Sequence, residues 1–143
     1  MWHYETTLSW QAGKRGVLDS AGKPTVPVGT PVDFGGPEGA WTPEDLLVAS
    51  VGACLMTTAL HFLERAGVNL RSFVIKTDGT LEKTAEGLSL TGITVDVFVI
   101  VARDSEMEQA ARAIERAENG CFVSRAVKTP VTVTSNVRSA NGT

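Results

Sequence analysis

The sequence is poor in the residues that build disulfide scaffolds and metal centres, with two cysteines and two histidines in 143 residues. Two cysteines cannot form the disulfide framework typical of a small secreted protein. No cluster of metal ligands is present either. A basic excess is also missing, because the formal net charge is −3 and the isoelectric point is near 5.4. Without a basic surface there is no electrostatic basis for nucleic-acid binding, so we expect no nucleic-acid partner. Without a ligand cluster we expect no metal.

Signals for export or membrane insertion are likewise missing. The N-terminal segment MWHYETTLSW has no basic stretch followed by a long apolar one. No apolar run reaches the roughly 18 residues that a membrane span needs. We therefore expect no membrane partner and a cytoplasmic location, where thiols are usually reduced. Length and a 43% hydrophobic, 20% charged composition predict one globular domain over residues 1–143.

Short strands and turns fill the first third of the chain. Residues 2–10 alternate loosely between polar and apolar side chains, as in a strand. Residues 17–31 resemble two short strands around a Gly-Lys-Pro turn. The glycine-rich segment DFGGPEGAW over residues 33–41 predicts a loop. It is not a phosphate-binding loop, because no Gly-Lys-Ser/Thr follows it.

A long apolar helix follows. Thr42 is a good N-cap, Asp45 completes a capping box, and Gly67 is a natural stop. Residues 46–63 contain one strongly polar residue, His61. An amphipathic surface helix would show a polar stripe. The pattern therefore predicts a central helix that is covered on most sides.

The remaining segments predict an α+β fold. β-Branched residues and alternation predict long strands over residues 70–83 and 88–102. A second helix is expected over 105–118, with its first and fourth residues forming a capping box. Residues 129–137 predict the last strand, and 138–143 a loose tail.

Cys54 lies deep inside the long helix, and considered alone it is best explained as a small, inert core residue. The helix dipole cannot activate it, because that effect fades within the first turn. An ionised Cys54 would need a cation from elsewhere in the fold. Cys121 stands just after the second helix. If the two meet, they have the layout of an attacking and a resolving thiol.

Three segments together resemble one family. In the order FGGPEGAWTPEDLL, ASVGACLMTTAL and CFVSRAV, they are similar to the motifs of the OsmC/Ohr family of thiol-dependent peroxidases. The resemblance runs roughly over residues 2–137. Thr42, Leu55 and Phe122 depart from the family's usual Asn, Phe and Pro.

The resemblance implies a fold, a reaction and four site residues. The fold would have antiparallel sheets wrapped around the long helix. Cys54 would attack an organic hydroperoxide, with hydrogen peroxide left open as a substrate, and Cys121 would condense with the resulting sulfenic acid. An external dithiol, by family likeness of the lipoyl type, would reduce the disulfide without any cofactor. Arg15 and Glu44 would form the ion pair beside Cys54, although Lys14 adjoins Arg15 and matches almost as well.

Helix geometry adds an expectation about assembly. Glu44 and Cys54 are ten residues apart, so a straight helix separates them by about 15 Å. Two copies of the helix crossing antiparallel would bring Glu44 of one chain to Cys54 of the other. We therefore expect an intertwined homodimer with shared active sites.

Two other functions compete with a peroxidase. A redox sensor without turnover, or a small-molecule-binding protein, would use the same scaffold. A cysteine hydrolase is less favoured, because His61 would lie about 10 Å along the helix from Cys54; we expect that histidine in the core or at an interface. Four aromatic residues either wall an apolar pocket or pack in the core: Trp10, Phe34, Trp41 and Phe122.

Overall fold

The computed structural model describes residues 1–141. They form two compact units, the first spanning Met1–Leu47 and the second beginning at Val48. Both strands and helices are present, which confirms the α+β prediction. The single domain over 1–143 stays a prediction.

The first unit contains a three-stranded antiparallel sheet. Its strands are β1 (Thr7–Ala12), β2 (Arg15–Asp19) and β3 (Val26–Gly29), in the order β1-β2-β3. The first strand begins later than predicted, since residues 2–6 are outside any strand and exposed. A tight turn joins β1 to β2, where Gly13 has a φ of 54° that favours glycine.

The long helix α1 spans Pro43–Arg65, as its end signals predicted. The capping box is reciprocal: the Thr42 N–H donates to Asp45 Oδ2 and the Asp45 N–H donates to Thr42 Oγ1, both at 3.0 Å. At the other end Gly67 adopts a φ of 69°. The Val68 N–H then donates to the Leu63 carbonyl at 3.1 Å, which stops the helix.

The second unit contains a sheet of two long strands and a shorter one, in the order β4-β5-β6. β4 (Leu70–Thr84) and β5 (Gly87–Val101) pair antiparallel, as expected. β6 (Val131–Ser139) instead runs parallel to β5, which corrects the expectation of purely antiparallel sheets. Its last two residues also correct the predicted loose tail over 138–143, whose residues 142 and 143 lie outside the described residues.

A helical crossover makes this parallel pairing possible, because parallel neighbours need a long connection. α2 spans Met107–Gly120 and α3 spans Phe122–Ala126, the latter not predicted. The predicted capping box at the start of α2 is wrong. The carboxylates near this helix start accept hydrogen bonds from other segments of the chain. Asp104 accepts one from the Ser139 hydroxyl, and Glu106 accepts one from the Asn69 N–H.

The core of the second unit is built on one face of β5. Alternate residues of this strand are buried, as the period of a strand requires. Small and branched residues on one face of α2, among them Ala110 and Ile114, are buried as well, and α2 packs against β5 and β6. The helix α1 approaches β4 at two glycines: a Cβ on Gly52 would collide with Thr77 Oγ1, and one on Gly79 with Val48 Cγ2.

α1 is less covered than its sequence predicted. By length and apolar composition it is the one helix of residues 1–141 that could cross a membrane, although the core helix of a soluble protein meets the same test. The sequence-based exclusion of any such segment was therefore wrong. Only 33% of its apolar segment is buried. The expectation of a helix covered on most sides does not hold for the single chain.

Candidate active site

The second unit brings the two cysteines together. Cys54 lies on the buried face of α1, and Cys121 lies between α2 and α3. Both are free thiols, 8% and 1% exposed respectively. The Cys54 thiol is within hydrogen-bond reach of the Cys121 sulfur. Short movements would therefore suffice to bond the two sulfurs.

Cys121 has a dense set of hydrogen-bond donors around its sulfur. The Ser124 hydroxyl donates to Cys121 Sγ at 3.0 Å. Cys121 also occupies the position before the first residue of α3, although without a regular capping bond. The N–H groups of Ser124 and Val123 and the thiol of Cys54 favour its ionised form as well.

The two thiols are therefore not equivalent. Burial raises the pKa of Cys54, and the neighbouring Cys121 raises it further, while hydrogen bonds from the Val123 N–H and the Thr58 hydroxyl offset only part of the rise. Burial also opposes ionisation of Cys121, but hydrogen bonds from Ser124, Cys54 and Val123 outweigh it and hold its pKa below the usual value. Of the two thiols, Cys121 is therefore the one that loses its proton more readily.

None of the groups that mainly determine the pKa of Cys54 is a cation. The positive neighbour expected beside this sulfur stays a prediction.

A cavity of about 360 Å³ adjoins Cys121. Its wall includes the apolar side chains of Val51, Leu55 and Val95, with Arg125 among the polar lining residues. Cys54 is not a lining residue, so from this cavity a small thiol or peroxide meets Cys121 and Ser124 first.

Arg15 and Glu44 line another cavity, of about 510 Å³, which lies wholly in the first unit. Strand β2 begins at Arg15, and Glu44 is in the first turn of α1. They form no ion pair within residues 1–141, where the one salt bridge joins Arg112 to Glu108. Glu44 Oε2 is nevertheless buried without a hydrogen-bond partner. A buried carboxylate oxygen of this kind is costly and points to a donor not yet in place.

Lys14 and Arg15 differ in whether their charged groups are already hydrogen-bonded within the first unit. The Lys14 ammonium donates to the Phe34 carbonyl at 3.1 Å, which holds it at the surface loop. Arg15 is half-buried, and its guanidinium makes no hydrogen bond among the described residues. Of the two cations, Arg15 is the one available to a carboxylate or a thiolate.

His61 and three of the four aromatic residues singled out in the sequence lie outside the cysteine pair and the cavity that Arg15 and Glu44 line. His61 is exposed and packs edge-on against Phe62, so the expectation of a core histidine was wrong and an interface remains. The four aromatics are between 48% and 77% exposed, which excludes core packing in the single chain; one of them, Trp10, lines the Arg15 cavity. Residues 1–141 contain no group of three or more potential metal ligands.

Comparison with known proteins decides the family. The model of the OsmC-like protein family matches residues 35–136. The chain belongs to the OsmC-like family. Among curated proteins, the uncharacterized YmaD of Bacillus subtilis is 21% identical over 131 residues, covering 88% of this chain and 87% of YmaD.

Solved structures of OsmC-like proteins share the fold. An OsmC-like protein of unknown function from Vibrio cholerae superposes with a TM-score of 0.86 at 18% identity, over 95% of this chain and all of its own. An organic hydroperoxide resistance protein OsmC from Legionella pneumophila gives a TM-score of 0.68 at 22% identity, over 96% and 99% of the two chains. These likenesses confirm the predicted fold and the resemblance stated above.

Ser124 is the residue that sequence reasoning missed. It stands three residues after Cys121, within the segment CFVSRAV that carries the resemblance. The hydroxyl reaches the sulfur because the chain turns into α3 between them. A cysteine followed three residues later by serine, just after a helix stop, was the available signal.

Proposed function

We propose that this protein is a thiol-dependent peroxidase that reduces organic hydroperoxides. The observation that carries the proposal is the contact between the Cys54 and Cys121 thiols. Membership of the OsmC-like family supports a redox role related to peroxides. Structures with the same fold include proteins named for organic hydroperoxide resistance.

The reaction needs only sulfur chemistry. The Cys54 thiolate attacks the terminal peroxide oxygen and the O–O bond breaks. The departing alkoxide takes the proton that Cys54 lost on ionising and leaves as an alcohol. The resulting Cys54 sulfenic acid is attacked by the Cys121 thiolate, which forms the disulfide and releases hydroxide, or water after protonation. A dithiol, for which we propose a lipoyl-type compound, then reduces the disulfide by exchange. Such a cycle suits the reducing cytoplasm.

Arg15 and Glu44 supply the charges in this proposal. Arg15 keeps its charge at any working pH, and its fork can hold a carboxylate while it faces a thiolate. The unpartnered oxygen of Glu44 and the uncommitted guanidinium of Arg15 both support their pairing in the active assembly. The pair would offset the burial that raises the pKa of Cys54.

A homodimer would complete the site. Ten residues of α1 separate Glu44 from Cys54, about 15 Å of helix, so a partner chain is the simplest source of the missing group. The exposed apolar surface of α1 supports this assembly. So do exposed aromatic residues, including Trp10 at 77% and Phe122 at 66% exposed.

The test of turnover is peroxide consumption with a dithiol present. We expect rapid loss of cumene or tert-butyl hydroperoxide with the wild type and none with Cys54→Ser. Cys121→Ser should consume about one equivalent and stop with a sulfenic acid that a dimedone-type probe labels. Slow consumption that is the same for all three proteins would refute the proposal.

A mixing experiment tests the shared site. Cys54→Ser is expected to be inactive, and Glu44→Gln to keep about a tenth of the wild-type activity or less. After unfolding and refolding together, half of the dimers would be hybrids, each with one intact site. About one quarter of the wild-type activity should then return. No recovery, with hybrid dimers verified by mass, would refute sharing between chains.

A redox sensor is the second candidate, and the burial of both sulfurs favours it. A sensor would be oxidised once by hydroperoxide and would stay oxidised during the assay. Multiple turnovers per chain would exclude it.

A further inference from the structure

We propose that the Ser124 hydroxyl makes Cys121 the leaving group when the disulfide is reduced, so that the reductant attacks the sulfur of Cys54. The inference rests on the proposed function and adds the direction of its second half-reaction. It also assigns Ser124 a catalytic role, because its hydroxyl touches a reacting sulfur.

The Ser124 hydroxyl is placed to stabilise a charge on Cys121. Ser124 Oγ lies 3.0 Å from Cys121 Sγ and donates to it, while the sulfur itself is 1% exposed. Water therefore hardly solvates a charge on this atom, and the hydroxyl replaces that solvation. Hydrogen bonds to a charged acceptor are stronger than those to a neutral one, so the contact stabilises the thiolate more than the thiol or the disulfide.

Cys54 is less well stabilised as a thiolate, because hydrogen bonds from the Val123 N–H and the Thr58 hydroxyl favour its ionised form but do not outweigh burial, and its pKa stays raised. In the reduced pair the Cys54 thiol also donates to the Cys121 sulfur, but Cys54 has no thiol proton while it is in a disulfide, so during exchange the Ser124 hydroxyl stabilises the Cys121 thiolate. In thiol–disulfide exchange the sulfur with the lower thiol pKa leaves faster. Departure of Cys121 is therefore favoured over departure of Cys54.

The proposed exchange has two steps. The reductant thiolate bonds to Cys54 Sγ, the bond between Cys54 and Cys121 breaks, and its electron pair leaves on Cys121. The second thiol of the reductant, after losing its proton, attacks the reductant sulfur in the mixed disulfide. Cys54 leaves as a thiolate and takes one proton. The reductant has lost two electrons and two protons, and the second proton goes to Cys121 or to solvent.

The cavity beside Cys121 provides the competing route. A thiol entering it meets Cys121 first and would attack that sulfur, with Cys54 as the leaving group. Access and leaving-group stability thus predict different mixed disulfides, which makes the inference decidable.

The experiment maps the mixed disulfide. The protein is oxidised with diamide, a general thiol oxidant, so that the disulfide forms without peroxidase activity. It is then exposed briefly to 2-mercaptoethanol, quenched in acid, alkylated and digested, and the modified cysteine is identified by mass spectrometry. We expect the adduct on Cys54. An adduct mainly on Cys121 would overturn the inference and leave the peroxidase proposal standing.

Variants of Ser124 test the hydroxyl itself. With Ser124→Ala we expect reduction of the disulfide to slow by roughly three- to tenfold, and the first thiolate to appear at higher pH. Ser124→Thr keeps the hydroxyl and should restore the reduction rate and the titration pH of the wild type. Ser135 is an exposed residue of β6, and Ser135→Ala should change neither quantity. Equal reduction rates in the wild type and folded Ser124→Ala would overturn the role of Ser124. If that variant does not fold, the adduct position in the wild type still decides the direction of attack.

A separate result bears on the function alone. Failure of diamide to cross-link the two cysteines would refute the two-cysteine cycle. A cross-link that diamide forms and hydroperoxide does not would refute the peroxidase while leaving the direction of exchange testable.

Discussion

Gly52 sets how closely α1 approaches β4, and replacing it with alanine tests whether that approach positions Cys54. An alanine Cβ would collide with Thr77 Oγ1, whereas the other nearest atoms, Ile75 Cγ2 and Thr77 Cβ, lie at ordinary contact distances of 3.5 and 3.6 Å. Threonine is stiff at χ1, so the oxygen cannot move away freely. The helix must therefore shift, and Cys54 is two residues away.

Two effects of opposite sign determine the size of the change. Gly→Ala inside a helix stabilises by about 1 kcal/mol. Overpacking at a close contact costs about 1–3 kcal/mol. We expect Gly52→Ala to lower the free energy of unfolding by about 1 kcal/mol, measured by urea denaturation. The displaced helix should also slow disulfide formation between Cys54 and Cys121 after a hydroperoxide pulse.

Substitutions at Thr77 provide matched controls. Thr77→Ala removes the colliding oxygen, so Gly52→Ala/Thr77→Ala should recover stability relative to Thr77→Ala alone, giving a coupling energy of about 1–2 kcal/mol. Thr77→Val leaves a methyl group in the same place and should not rescue. A Gly52→Ala protein more stable than the wild type, with normal disulfide formation, would refute the close approach as the positioning device.

Three further predictions concern the charges of the site. Arg15→Gln should lower peroxidase activity about ten- to a hundredfold, which is the range expected for the loss of a charged hydrogen bond. Lys14→Gln should stay near the wild-type activity. Similar losses for the two variants in steady-state assays would refute our choice of cation. Glu44→Gln should reduce kcat by a comparable factor while far-ultraviolet circular dichroism stays unchanged, and full activity would exclude the ion pair. Because the pKa of Cys121 is lowered and that of Cys54 raised, ultraviolet titration of the reduced protein should show one thiolate appearing below the usual thiol pKa and a second above it; one joint transition at the usual value would contradict the asymmetry.

Local signals predicted the elements that depend on local interactions. The capping box of α1 was readable because Thr42 and Asp45 satisfy each other's backbone within one turn. The antiparallel pair β4 and β5 was readable from β-branched residues and a short connection. Both features need no knowledge of the rest of the chain.

Features that depend on distant partners were not predictable. The direction of β6 follows from the crossover through α2, not from its own alternating residues. The capping box expected at Ser105 failed because the neighbouring carboxylates accept hydrogen bonds from Ser139 and Asn69. The pattern of α1 indicated apolar surroundings, but it could not specify what supplies them.

In the candidate site, too, some features could be predicted from the sequence and others depend on the three-dimensional arrangement. The motif resemblance named both cysteines, and the structure places their thiols in contact. It did not reveal the unequal acidity of the two sulfurs, because that property arises from the chain turn that brings Ser124 to Cys121. Hydrogen-bond geometry around a sulfur is a three-dimensional property that residue spacing only suggests.

The position of the two sulfurs also links oxidation to the strength of the fold. A bond between Cys54 and Cys121 would close a loop of about 67 residues and tie α1 to the corner between α2 and α3. Cross-linking a loop of this length restricts the unfolded chain and is worth about 3–5 kcal/mol. The oxidised protein would then resist heat and proteolysis better than the reduced one, so its lifetime in a cell would itself record exposure to oxidant.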